Sequence, residues 1–405
     1  MKTVFIAFDN DEAGVLGANK LANTLNARFP YLEIKIVMLP PEKGKDISEY
    51  FLHDGTIDGL VSTYSETTLG VKTVDFAPMG IVDIQNVLSL TIREDNINKV
   101  VVFLAMLSAF TNDSQINILL NAPSSSGKSY IPLEIAQLFP EDAIMKLQYV
   151  SQNAFFHENG EYDKEKNETH IRLDRKIIIF IDQPRTELLA RLRPLLSHDE
   201  KVMVSKITDK SGKGGNKTKN VVIHGYPTAI FCTASTQMDE QEATRFLLIS
   251  PETTQKKLQA TIENKICYES DKDAIKQAVM FDTERKRLVE RIAYIRDAMI
   301  DDVVIENTDS IRKHFLGNST MLHPRDQRDI GRLMAFIKCF TLLNMTHRKR
   351  IGSTLYATED DIQEAFTLWN AVSPGQKYGV SPYMLEIYEM VFLPAYREYN
   401  AENMS

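Results

Sequence analysis

The chain has 405 residues, with 47 Lys and Arg against 55 Asp and Glu and a net charge of -8. That balance excludes a polycation, so any contact with nucleic acid must come from a local basic patch. An apolar share of 43% and a charged share of 25% are those of an ordinary soluble fold long enough for two or three cores. The three cysteines, Cys232, Cys267 and Cys339, lie far apart and form neither a CxxC pair nor a zinc-spaced cluster, which predicts reduced thiols and a cytoplasmic setting. The opening MKTVFIAFDND has too short an apolar run for a signal peptide. The longest apolar stretch, KVVVFLAMLSAF from Lys99, falls short of the ~20 residues of a membrane span and predicts a buried helix.

Residues 1–58 alternate strand and helix. TVFIAF is β-rich, EAGVLGANKLANTLNARF has helical spacing, EIKIVMLP is a second strand, and KDISEYFLHDG is a short helix ending at a glycine. The pattern is an α/β unit with a parallel pair, half the size of a domain. Residues 59–82 are weakly patterned and read as a linker. Residues 83–254 alternate apolar strands (INILLN, AIMKLQYV, RKIIIFID, PTAIFCTAS and RFLLIS) with helices, which predicts a mostly parallel sheet covered on both faces. Residues 255–405 read as helical almost throughout, a lid or bundle.

The segment APSSSGKS, Ala122 to Ser129, has phosphate-loop spacing between a strand and a helix. Small residues at Ala122, Pro123, Ser124, Ser125, Ser126 and Gly127 let backbone N–H groups curl around phosphates. Lys128 would neutralise the β/γ-phosphates of ATP, and Ser129 would hold Mg²⁺. RKIIIFIDQP supplies the acid such a site requires, Asp182, at the end of a second buried strand. Gln183 follows it, where many such ATPases carry a glutamate. A glutamine orients water but cannot accept its proton, so turnover is slow, borrows a base such as nearby Glu187, or is absent. A third buried strand ends in Thr233 and Ser235, hydroxyls suited to a γ-phosphate or the attacking water.

Between Lys201 and Lys219 six lysines (201, 206, 210, 213, 217 and 219) accompany a single acid, Asp209. Two β-like arms flank the glycine-rich KSGKGGNK, predicting a lysine-tipped hairpin that grips a phosphate backbone without reading sequence; a solvated loop is the competing reading. Arg245 before one strand, and Arg325 and Arg328 at a helix start, are candidate γ-phosphate guanidiniums, although a lone arginine is more often a surface ion-pair partner.

Taken together, the order of these parts resembles the AAA+ ATPase module of the minichromosome maintenance helicases and their mobile-element relatives, over residues 85–375. The resemblance implies a P-loop ATPase with a helical lid. Lys128 and Ser129 would be its Walker A residues, Asp182 Walker B, Thr233 sensor 1, Arg245 an arginine finger given to a neighbouring subunit of a ring, and Arg325 sensor 2, with Arg328 the close alternative. Lys206, Lys210 and Lys213 would lie on the hairpin that grips DNA, extended by Lys217 and Lys219. Departures from the pattern are Ala122 for the first glycine, Gln183 for the Walker B glutamate, and a hydroxyl for the usual sensor asparagine.

The first unit resembles the second half of a Toprim domain of bacterial-type primases. Asp9 and Asp11 in FDNDEAG match its metal-binding Asp-x-Asp, and Asp46 lies in the segment that follows. Hard carboxylates two residues apart can share one Mg²⁺. Three functions follow as expectations: an ATP-driven DNA motor of a primase–helicase replication protein; a Toprim-type primase or nuclease with an accessory ATPase; or a scaffold that ATP assembles on DNA without hydrolysis.

Overall fold

The computed structural model describes residues 2–9, 11–28, 32–37, 39–62, 76–148, 160–182, 186–209, 217–234, 244–317 and 322–403. The first unit is β1 (Lys2–Ala7), α1 (Glu12–Arg28), β2 (Leu32–Val37), α2 (Ile47–Leu52) and α3 (Ile57–Ser62). Strands β1 and β2 pair in parallel, and Ile6 and Ile36 meet Ala18 and Ala22 of α1 in a small core. The βαβ reading of this segment therefore holds.

Next come α4 (Ile81–Leu88), α5 (Asn96–Ser108), β3 (Ile118–Asn121), α6 (Tyr130–Ala136) and β4 (Ile144–Leu147). They are followed by β5 (Glu161–Asp163), β6 (Glu168–Arg172), β7 (Ile177–Phe180), α7 (Thr186–Leu196), β8 (Val202–Asp209), β9 (Lys217–His224), β10 (Thr228–Thr233) and β11 (Leu247–Ile249). The two ends of the linker expected over 59–82 lie in helices α3 and α4, and residues 63–75 lie outside the described residues. Just before α4, Asn344 accepts from Met79 N–H at 2.8 Å and donates to its carbonyl at 3.0 Å, and Arg291 stacks over Phe76.

Five strands form a parallel sheet in the order β11-β3-β10-β7-β4. Both faces of β3, β7, β10 and β11 are covered, which is why these strands read as apolar runs, whereas the edge strand β4 is half-buried and carries the exposed Lys146. Ile118 and Leu120 of β3 point into a core shared with α5 and the later helices, whereas Leu119 points into a second core with α7 and β9. The same alternation holds along β7, β10 and β11, and Phe180 stacks on Phe231 with ring centroids 4.5 Å apart. Helix α5 is buried along most of its length, as its apolar sequence predicts. Among the described residues, no helix is long and apolar enough to cross a membrane.

A second sheet, β5-β6-β9-β8, carries the lysine arms as an antiparallel β8–β9 pair. The C-terminal third contains α8 (Gln255–Ser270), α9 (Lys272–Phe281), α10 (Thr283–Asp297), β12 (Asp302–Val304), α11 (Thr308–Ile311), α12 (Asp326–Leu343), β13 (Arg350–Ile351), β14 (Thr354–Tyr356), α13 (Glu359–Tyr378), α14 (Pro382–Ile387) and α15 (Leu393–Asn403). Among the described residues its regular structure is helical apart from the three-stranded sheet β12-β14-β13. The buried Gln376 of α13 accepts from Leu248 N–H at 3.0 Å and donates to Leu248 O at 2.6 Å, covering the outer edge of β11 as a neighbouring strand would.

Candidate functional site

The three strand ends singled out by sequence lie side by side. Thr233 pairs with Asn121 in register, and Ala122 N–H donates to Thr233 O at 3.2 Å. Phe231 pairs with Phe180, so Thr233 stands level with Asp182, two residues past Phe180. The Ala122–Ser129 loop, Thr233 and Asp182 thus share the carboxyl edge of a parallel sheet, where ligands of such sheets bind.

Backbone geometry in the loop follows from its small residues. Ser125 and Gly127 adopt left-handed φ of 66° and 90°, curling the chain between β3 and α6. Ser126 Oγ donates to Pro123 O at 2.9 Å, and Lys128 Nζ reaches the same carbonyl at 3.4 Å. Ser124 and Ser125 are exposed, Ala122 is buried, and Ser129 is half-buried immediately before α6. Under the loop lies Cys232, whose thiol contacts Lys128 O at 3.4 Å. Burial, and to a lesser extent Asp182, pushes that thiol up to about 12 against the opposing charge of Lys128, so it stays protonated at neutral pH and is no nucleophile. Mg²⁺ fits the donors present: the Ser129 hydroxyl and the exposed Asp182 carboxylate are hard oxygens flanking one strand end. Gln183, Ser235 and the Glu187 side chain lie outside the described residues.

The arginines form a separate group. Arg245 Nε donates to Ser197 Oγ at 2.6 Å, and Arg328 contacts Thr244 Oγ1. Because Leu247 pairs with Ile118, Arg245 stands about level with Ile116, at the far end of the sheet from the loop. At about 3.3 Å per residue the separation along the sheet is about 20 Å. Neither residue is brought to the loop of its own chain. Arg325 faces Asp329 at 3.9 Å and Gln376 at 3.4 Å, supporting the group that covers β11. Burial lowers its pKa, partly offset by Asp329.

In the hairpin, Lys206 is exposed and pairs in register with Asn220, beside the exposed Val202 and Val204. Lys219 and Lys217 pair with Ile207 and Asp209. Lys210 and Lys213 at the tip lie outside the described residues.

The N-terminal acids do local work. Asp11 Oδ1 accepts from Gly14 N–H at 2.6 Å and caps α1, and Asp46 Oδ1 accepts from Glu49 N–H at 2.8 Å and caps α2. Asp9 is exposed, and its backbone lies so close to Gly14 that a Cβ there would meet Asp9 O at 2.0 Å. Among the described residues no group of three or more His, Cys, Asp or Glu could hold a metal ion. Replacing Asp11 with alanine should cost about 1 kcal/mol, read by chemical denaturation.

Two residues of this region escaped the sequence reading. Lys257 of α8 and Asp95 before α5 form a buried ion pair of 2.5 Å against the Ala122–Ser129 loop. Asp95 signals itself only weakly, as an acid ahead of an apolar helix. No protein-family model matches this chain, and no curated protein matches it.

Proposed function

We propose that the chain binds Mg²⁺–ATP at the Ala122–Ser129 loop and hydrolyses it as a ring-forming AAA+ motor acting on DNA, of the primase–helicase type. The observation that carries the reading is the meeting of the loop, Thr233 and Asp182 on adjacent parallel strand ends, with β10 between β3 and β7. Loop amides and Lys128 would hold the phosphates, while Ser129 and Asp182 would hold the cation. Bound there, Mg²⁺ neutralises charge that develops on the phosphates. Thr233 would orient water or the terminal phosphate.

The distance of Arg245 and Arg328 from their own loop supports a site completed by a neighbouring copy, since a guanidinium at the far sheet end can serve only another chain's phosphate. The β8–β9 lysine arms supply the electrostatic grip on DNA. Priming or cleavage by the first unit forms no part of this proposal, because Asp11 and Asp46 are engaged as helix caps. A second reading, ATP-driven assembly on DNA without turnover, is favoured by one observation: Gln183 in place of a proton-accepting glutamate.

Steady-state ATP hydrolysis with and without single-stranded DNA separates the two. Turnover that rises with DNA and falls by roughly two orders of magnitude or more in Lys128→Ala is the expected result. Tight ATP binding without turnover under any DNA condition would leave the assembly reading in its place.

A further inference from the structure

Lys257 lies in the first turn of α8, where Thr254 Oγ1 accepts from its N–H at 3.3 Å. Its side chain is buried and runs toward the phosphate loop, where Nζ donates to Ser126 O at 3.1 Å and pairs with Asp95 Oδ2 at 2.5 Å. Asp95 is itself 1% exposed and in a left-handed conformation, φ 52°. Its other oxygen accepts from Asn98 Nδ2 at 3.0 Å and from Glu252 N–H at 2.7 Å. Preceding it, Glu94 is also left-handed, with φ 54°, and pairs with Lys256 at 3.0 Å. Two consecutive acids therefore clasp two consecutive lysines, and the inner lysine reaches through to the loop backbone.

The consequence follows from peptide geometry. A trans peptide directs its carbonyl and its N–H to opposite sides. Lys257 fixes the Ser126 carbonyl, so the Gly127 N–H in the same plane faces away from Lys257. Gly127 lies directly beside the ammonium, with a Cβ built on it 3.9 Å from Nζ, and has a φ of 90°.

We propose that Lys257 is a positioning residue for nucleotide phosphate: held by Asp95, it locks the Ser126–Gly127 peptide with its N–H turned toward the phosphate side of the loop. The inference rests on the nucleotide-binding reading above and deepens it. It also ties α8, the first helix of the C-terminal region, to occupancy of the loop.

The test is Mg²⁺–ATP titration calorimetry with thermal unfolding on the full chain, comparing Lys128→Ala, Lys257→Met, Lys257→Arg and the double variant Asp95→Asn/Lys257→Met. Lys257→Met should weaken ATP binding about 10- to 100-fold, the value of one charge-assisted hydrogen bond. That variant leaves Asp95 buried without its cation, so its melting midpoint should fall too. The double variant removes both charges and should regain the midpoint of the unaltered chain without regaining affinity. Lys257→Arg should recover part of the affinity. A double variant that binds ATP as tightly as the unaltered chain would overturn the inference, since Lys257 would then serve only to neutralise Asp95. If the unaltered chain binds no ATP, or if Lys128→Ala binds equally well, the site reading itself fails and this inference with it.

Discussion

Replacing Asp361 with alanine is expected to destabilise the fold by about 3–5 kcal/mol, the cost of leaving a buried charge without its partner. Asp361 is 1% exposed and binds Arg348 through both oxygens, each at 2.7 Å. It also accepts from Thr358 N–H at 3.0 Å and Thr341 Oγ1 at 3.2 Å, closing the capping box of α13. Alanine would strand the Arg348 guanidinium and reopen the helix end in one step. The effect should not stop there, because α13 carries Gln376, which covers the β11 edge next to the phosphate-loop strand. A melting midpoint lowered on the order of 10 °C, followed by circular dichroism, is the expected reading. Asp361→Asn, which keeps an acceptor, should fall between. The double change Arg348→Met/Asp361→Leu removes both charges and should recover most of the loss. Recovery would assign the cost to the orphaned charge; no recovery would assign it to the cap.

The parallel sheet was legible because burial on both faces writes itself as apolar runs. INILLN, AIMKLQYV, RKIIIFID, PTAIFCTAS and RFLLIS each contain one of its strands. Their order was not legible, since no residue pattern states that β10 lies between β3 and β7. Strands β5 and β6 and the small β12-β14-β13 sheet were also missed. EYD, ETHIR and DVV are too short and polar for a period of two to stand out. At the site, the positions of Thr233 and Asp182 were readable because each stands at the end of an apolar run, and those of Lys128 and Ser129 because the small-residue loop lies between such a run and a helix. Lys257 was not. TTQKKLQA reads as a solvated helix start, and only the fold brings Asp95, 162 positions earlier, against it. Asp11 carries a role that the sequence reading left out: an acid three residues before a glycine amide in a helix's first turn suits a cap, and here the cap is formed.

On the ATPase reading proposed above, replacing Gln183 with glutamate is expected to raise ATP turnover by about 10- to 100-fold, a part of what a positioned general base contributes. Asp182 stands level with Thr233 at the sheet edge, and position 183 follows it directly. A carboxylate there could accept the proton of a water that the native amide can only orient. With an ordinary glutamate pKa of about 4.3 it would be ionised at neutral pH, so the gain should be flat above about pH 6. KM for ATP should change little, because the new group acts on water rather than on the bound phosphates. Two companions make the result specific. Lys128→Ala in the Gln183→Glu background should abolish the gain, tying it to this site rather than to a contaminating ATPase. Asp182→Asn should lower turnover in both backgrounds, as loss of the proposed cation ligand would. A Gln183→Glu chain no faster than the unaltered one would show that position 183 is not where the attacking water is activated. Glu187, in the first turn of α7, would then be the next residue to replace, since it is the nearest following carboxylate in the chain.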